Sequence, residues 1–332
     1  MGTFSNIASI FSDIANSLRS KMGSQDTFTP SQMAPAINNI PTGIVPFDDV
    51  NCMYVSGVND VAIEVEQYNN PIVNASELFA FNYNMIYDKY YIGYSVFDIS
   101  GCFSSSNFNK PVIINSRQGM FNMSGCFQMS PEFNQPVTFI NTRVYDMSYC
   151  FGVCTNFNQP ITIPDDVYNM YACFTGCSKF NQPITIPNEI GNMASCFSDC
   201  SNFNQPITIP DKSRAVINMA RCFSGCTNLN QPIIFGSGVN NVAMCLYNCV
   251  NFNSSLYFNN SSKLNRITTN KLLGGTNNSL IKSIYCNNAT PFTNTKAASS
   301  IVGEAVTWTA MSDGNGYYNT FWKVNIYNNW TP

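Results

Sequence analysis

The chain of 332 residues contains no histidine. That absence removes every Ser-His-Asp and Cys-His catalytic arrangement and every imidazole metal ligand. Charge is scarce too: Asp, Glu, Lys and Arg together make up 11% of the residues, against roughly 25% in an average soluble chain. The net charge is −3, and the 16 Lys and Arg residues are scattered along the chain. Binding to a phosphate backbone needs clustered cations, so nucleic acid is not an expected partner. Asn, Asp or Pro interrupts each apolar stretch before it nears the roughly 20 residues of a membrane-crossing helix. Membrane insertion is not expected either. The opening segment lacks a basic region followed by an unbroken apolar run, so it does not read as a signal peptide. Asn6 stands where a myristoylation site needs Ser or Thr.

What remains is a hydrophobic fraction of 45% and 14 cysteines, with Asn, Ser, Thr and Gln in place of charge. From Cys102 to about Phe258 these residues repeat. Asn109, Asn134, Asn158, Asn181, Asn204, Asn230 and Asn253 mark successive units at 23–26-residue spacing, within the range of leucine-rich repeats. The clearest copies read FNQPITIP at 157–164, 180–187 and 203–210; those at 108–114, 133–139, 229–235 and 252–258 diverge more.

Each unit has two parts. In 158–164, Ile161 and Ile163 fall on one face of a short strand and Thr162 on the other, and the flanking prolines keep that strand short. In 170–177 the apolar positions are Met170, Cys173, Phe174 and Cys177, an i, i+3, i+4, i+7 pattern that predicts a short helical turn. The expected fold is therefore a leucine-rich-repeat-like solenoid of short parallel strands and short helical turns. One coil cannot cover its own apolar face, so coils stack. At roughly 4.8 Å per step, about eight of them make a rod on the order of 40 Å long. Stacking turns equivalent residues into ladders. Phe151, Phe174, Phe197 and Phe223 form one; the motif asparagines form another, placed to hydrogen-bond the backbone of adjacent coils.

The segment CFTGC at 173–177, followed by Phe180 and Ile-x-Ile-Pro, resembles BspA-like leucine-rich repeats. The form Cys-Phe-x-x-Cys-x-x-Phe-Asn-Gln-Pro is similar to the variant in Mycoplasma-type surface lipoproteins and bacterial surface proteins. The resemblance covers about half of the chain and implies a binding scaffold. It departs from the usual pattern in having Phe where Leu is common.

The flanking segments read differently. Over 1–43, Ile7, Ile10, Phe11, Ile14 and Leu18 form one helical apolar stripe, and Met33, Ile37 and Ile40 a second. Such a helical hairpin is too small to stand alone, so it is expected to attach to another chain or another copy. Its residues Ile14, Ala15, Leu18, Arg19, Lys21, Gly23, Pro30, Met33 and Ile37 resemble a pattern in tail, baseplate and fibre proteins of phages that infect low-GC bacteria. Residues 44–100 read as a β-rich transition with degenerate first repeats, including a worn copy at Leu78-Phe79. Residues 259–332 read as a C-terminal cap with a β-hairpin around 313–316. There Trp308, Phe321, Trp322, Tyr327 and Trp330 either cover the last apolar layer or form an exposed aromatic site.

The pairs Cys150/Cys154, Cys173/Cys177, Cys196/Cys200, Cys222/Cys226 and Cys245/Cys249 share a C-x3-C spacing. Zinc elements use similar spacings, so metal and disulfide readings stand beside a packing one. Packing is favoured: both members fall on the inward face, and Ser106 and Ser130 replace the second cysteine in two copies. Cys52 and Cys286 are expected to be buried as well. Two outward polar ladders make a candidate ligand face: Gln135, Gln159, Gln182, Gln205 and Gln231, and Thr138, Thr162, Thr185 and Thr208. They could hold sugar chains or simply cross-link coils. Asp165-Asp166 is the one adjacent acid pair near the array that a glycosidase reading could use. The glycine runs at 274–275 and 314–316 lack the context of a phosphate loop.

Taken together, the residues and resemblances predict a non-enzymatic virion protein of a phage, a tail or head appendage without cofactor, metal or catalytic residue. It would assemble in a bacterial cytoplasm, join other virion proteins through 1–43, form a homo-oligomer, and meet a host-surface glycan or protein. Alternatives are a bacterial surface adhesin and a polysaccharide-degrading virion protein.

Overall fold

The computed structural model describes residues 52–55, 73–82, 89–93, 96–116, 120–211, 217–259, 271–277, 282–286, 302, 309–310, 316–319 and 323–327. The expected attachment helices, with Ile7, Ile10, Phe11, Ile14, Leu18, Met33, Ile37 and Ile40, lie outside the described residues. Among the described residues no helix is long and apolar enough to cross a membrane.

The described chain winds into a solenoid of parallel strands. One face carries Cys52–Val55, Lys89–Ile92, Val112–Ile114 and Val137–Phe139, paired in that order and all parallel. The same face resumes with Ile207–Thr208, Ile233–Phe235, Ser255–Phe258, Lys282–Cys286 and Val324–Tyr327, again parallel. Gly316–Asn319 and Thr309–Ala310 then close this sheet with antiparallel strands. A second face carries Val73–Asn74, Val96–Asp98, Phe121–Asn122 and Val144–Asp146. Single bridges from Asp146 through Asn169 and Asn192 to Asn218 continue it.

Between the two halves of the first face, 161–163 and 184–186 are extended without a strand ladder. The side-chain alternation expected there is present: Ile161 and Ile163 are buried and Thr162 is exposed. The ladder is missing where Pro160, Pro164, Pro183 and Pro187 remove backbone donors at each end. Two of the three most regular copies lack the ladder, whereas the third, between Pro206 and Pro210, still pairs over Ile207–Thr208 with the next coil.

The expected short helical turns are a correction. Met170, Cys173, Phe174 and Cys177 are all fully buried, as the apolar spacing requires, but the backbone there is a run of tandem turns. Cys173, Thr175 and Cys177 donate to the carbonyls of Met170, Ala172 and Phe174, three residues back. The interleaved amides of Ala172, Phe174 and Gly176 donate instead to Ala194, Cys196 and Ser198 of the next coil at 2.7–2.9 Å. An α-helix would bind every one of these amides internally. Ala172 and Gly176 have φ of 51° and 72°, the sign a type II turn requires at its third residue. The pattern recurs at Gly101/Ser105, Gly125/Met129, Tyr149/Val153, Ser195/Asp199, Arg221/Gly225 and Met244/Asn248. Buried positions alone do not separate the two backbones, because tandem turns of this length present the same residues inward.

The core is two interleaved phenylalanine stacks. Phe103, Phe127, Phe151, Phe174, Phe197 and Phe223 follow one another at 5.2–5.5 Å, stacked with their planes nearly parallel. Phe108, Phe133, Phe157, Phe180 and Phe203 form the second at 5.7–6.1 Å. All are essentially inaccessible to solvent. Each ring pair adds roughly 0.5–1.5 kcal/mol beyond simple burial, and the stack sets a common orientation for every coil.

The turn geometry yields a sharp expectation. Ser195 is half-buried at φ 56°, where two earlier coils carry glycine. Ser195→Gly should raise the urea midpoint by an amount worth about 0.5–1 kcal/mol, because glycine takes a left-handed backbone without strain. A helical backbone would instead lose about 0.5 kcal/mol, so a lowered midpoint would contradict the tandem turns.

Candidate binding surfaces

The motif asparagine is a bridge between coils. Its side-chain carbonyl accepts the backbone N–H of the equivalent asparagine one coil on: Asn109 from Asn134, Asn134 from Asn158, Asn158 from Asn181, Asn181 from Asn204, each at 2.9 Å. Asn204 and Asn230 continue the chain to Asn230 and Asn253. The glutamine beside it serves the same bridge. Gln159 and Gln182 donate Nε2 to Oδ1 of Asn134 and Asn158 at 3.2 Å. Gln205 donates to both oxygens of Asn181 at 3.1 Å. Gln135 and Gln231 are half-buried at the same position. Three of the five candidate ligand glutamines therefore have their amides committed to the scaffold.

The threonine ladder stands apart. Thr138, Thr162, Thr185 and Thr208 are all exposed. Strand register places Thr138 beside Ile113 at one end and Thr208 beside Ile234 at the other. Beyond Ile234 the same row continues as Tyr257, Tyr285 and Tyr327, half-exposed, with rings stacked at 4.9 Å. Tyr327 thus belongs to this outer row. Trp308, Phe321, Trp322 and Trp330 lie outside the described residues.

A second ladder, of asparagine and aspartate, runs along the other face. Asp98, Asn122, Asp146, Asn169, Asn192, Asn218 and Asn241 each accept the backbone N–H two residues on through Oδ1, at 2.7–3.1 Å. Their free atoms join coils: Asn122 and Asn169 donate Nδ2 to Asp98 and Asp146, and Asn192 donates to Asn169. The signal was present as an Asn or Asp placed just before the buried Met in most copies. Such residues cap a turn through their own side chain.

The cysteines of the array are free and buried. The second of each pair donates Sγ–H to a phenylalanine carbonyl of the preceding coil. Cys154 reaches Phe127, Cys177 reaches Phe151, Cys200 reaches Phe174, Cys226 reaches Phe197 and Cys249 reaches Phe223, at 2.9–3.0 Å. Ser130 does the same to Phe103 at 2.8 Å. That equivalence explains why serine substitutes here: the site asks for a small buried donor, and a thiol is a weak one. Burial pushes the Cys102, Cys154 and Cys245 thiols up to about 12, the opposite of what a reactive or metal-binding thiolate needs. The side chains of Cys52 and Cys286 lie outside the described residues.

Of the acid pair, Asp166 is engaged by Arg143, Nε to Oδ2 at 3.0 Å and Nη2 to Oδ1 at 3.1 Å. Its hydrogen bond from the guanidinium holds the carboxyl below the usual range; a general acid needs it raised.

With this geometry in hand, comparison with known families matches residues 97–188 and 169–278 to one described as "Mycoplasma protein of unknown function, DUF285". The two matches together span more than half of the chain. No curated protein matches. Among solved structures the chain is similar to the crystal structure of the pneumococcal vaccine antigen PcpA, at 9% identity over 62% of this chain and 76% of that one, with a TM-score of 0.29.

The thiols make stability depend on alkaline pH. An unfolded thiol ionises near about 8.5, while the folded ones stay protonated to far higher pH. Stability is therefore complete below about 8.5 and falls as pH rises, by about 1.4 kcal/mol per pH unit per thiol. Urea midpoints should drop steeply between pH 8 and 10, and less steeply in Cys177→Ser/Cys200→Ser. A thiol reagent should leave the array cysteines of the native protein unlabelled at neutral pH. Full labelling without denaturant would overturn the packing role.

Proposed function

This chain belongs to the DUF285 family, and on that footing we propose that it is a non-enzymatic binding scaffold. One observation carries the reading, namely where the reactive groups go. The described thiols point inward and are protonated, the motif amides bridge coils, and Asp166 is paired with a guanidinium. The outer faces keep uncharged hydroxyls and aromatic rings, with Thr138, Thr162, Thr185 and Thr208 in one exposed row. Such a surface suits a glycan or a neutral protein face better than a charged polymer.

The finer reading is a virion appendage of a phage. Its support is the sequence pattern of residues 14–37, similar to tail, baseplate and fibre proteins. In this reading the N-terminal segment joins the chain to other virion proteins and to further copies of itself, after assembly in a bacterial cytoplasm, and the solenoid meets the host surface.

Two measurements test these statements separately. The full chain should co-sediment with bacterial envelope fragments and release no reducing sugar; released sugar would make it a hydrolase. A chain lacking residues 1–43 should stay soluble and folded but be missing from particles. Normal incorporation of that truncated chain would end the attachment reading and leave the scaffold reading untouched.

A further inference from the structure

The second face carries an outward feature that the scaffold itself does not explain. Along 143–145 the side chains alternate: Arg143 exposed, Val144 buried, Tyr145 exposed. One coil on, Asp166 is half-buried in a turn, Val167 is buried and Tyr168 is exposed. Arg143 and Asp166 form a two-point ion pair, and Tyr145 and Tyr168 stack at 5.5 Å with planes 4° apart. Alternate residues of an extended strand lie roughly 6.5–7 Å apart on one face. The ion pair and the ring stack therefore stand side by side.

The backbone is shaped to present these rings. Phe121 pairs with Val144 and Asn122 with Asp146, with a register shift between them. Tyr145 is thus an extra residue with none opposite it in the preceding coil. Its carbonyl accepts two amides, Tyr168 and Asn169, each at 3.1 Å. Bulges of this kind re-aim a side chain. On the other side, Tyr168 lies over Gly191: a Cβ there would stand 2.2 Å from its Cε2. The glycine makes room for Tyr168, and Tyr168 stacks on Tyr145. Tyr145 and Tyr168 are 40% and 41% exposed.

We propose that this patch is a subsite for a neutral saccharide, with Tyr145 stacking on the apolar face of a pyranose and the Arg143–Asp166 pair hydrogen-bonding its hydroxyls. The proposal rests on the scaffold reading and gives it a location and a ligand class. Charge decides the class. Arg143 and Asp166 neutralise one another, so the patch offers no net attraction to phosphate or to a polyanion. The guanidinium has five N–H donors and gives two to Asp166, which leaves donors and lone pairs for adjacent hydroxyls. A sugar ring combines an apolar C–H face with a rim of hydroxyls, and the patch combines an exposed aromatic stack with a planar polar pair.

The test uses the full chain with neutral pentasaccharides of glucose, galactose and N-acetylglucosamine, and with polygalacturonate as an anionic control, followed by calorimetry. At least one neutral sugar should bind, and polygalacturonate should not bind more tightly. Tyr145→Ala should weaken binding by about tenfold, the order of one lost aromatic stack. Tyr145→Phe should keep it. Gly191→Ala should weaken it with both rings still present, and Lys179→Ala, an exposed change outside both polar faces, should leave it unchanged. Equal binding by a folded Tyr145→Ala, or loss only in Thr162→Ala, overturns this site while the scaffold reading stands. Failure of every neutral sugar, with envelope co-sedimentation intact, overturns the ligand class and again spares the scaffold.

Discussion

A coil of this protein cannot satisfy its own backbone. In each turn segment alternate amides point out of the coil, and only the next coil supplies their acceptors: Ala172, Phe174 and Gly176 reach Ala194, Cys196 and Ser198. A buried amide left unpaired costs roughly 1–3 kcal/mol, so several per coil make an isolated unit untenable. The apolar interior imposes the same condition, since each phenylalanine needs a ring above and below. Hydrogen bonding and stacking therefore select the same repeat distance, and both require neighbours.

From that constraint the composition follows. A ladder of identical ions would repel itself at every step, and amides do not. An amide both accepts and donates, so Asn158 takes the amide of Asn181 through its oxygen while Gln182 adds a second bond to that oxygen. Where the second ladder does carry charge, at Asp98 and Asp146, an asparagine follows in the next coil and donates to it. The thiol or hydroxyl row serves the remaining lone pair of one carbonyl per coil. Phe174 accepts both the Cys177 amide and the Cys200 thiol.

Function is then left to the outside. Loops of variable length and bulges on the second face alter what projects outward without touching the interior. Val144 and Val167 are fully buried, and their neighbours Tyr145 and Tyr168 project outward. The proposed binding role and the proposed saccharide subsite both depend on this separation.

The sequence alone determined the repeat, its period, its inward residues and the coil-bridging role of Asn158 and its equivalents, because those depend on spacing and side-chain chemistry that survive any backbone of the right length. It also showed that packing suited the C-x3-C pairs better than chemistry, since Ser106 and Ser130 take the same place. Tertiary structure alone decided that the i, i+3, i+4, i+7 segments are tandem turns, because helix and turns bury the same side chains and differ only in whether alternate amides find acceptors in the next coil. It alone committed Gln159, Gln182 and Gln205 to the scaffold, whereas the outward threonines already followed from the alternation along each short strand. And it alone brought Arg143 to Asp166 and Tyr145 to Tyr168, 23 residues apart in each case, because only stacking turns a repeat distance along the chain into contact across coils.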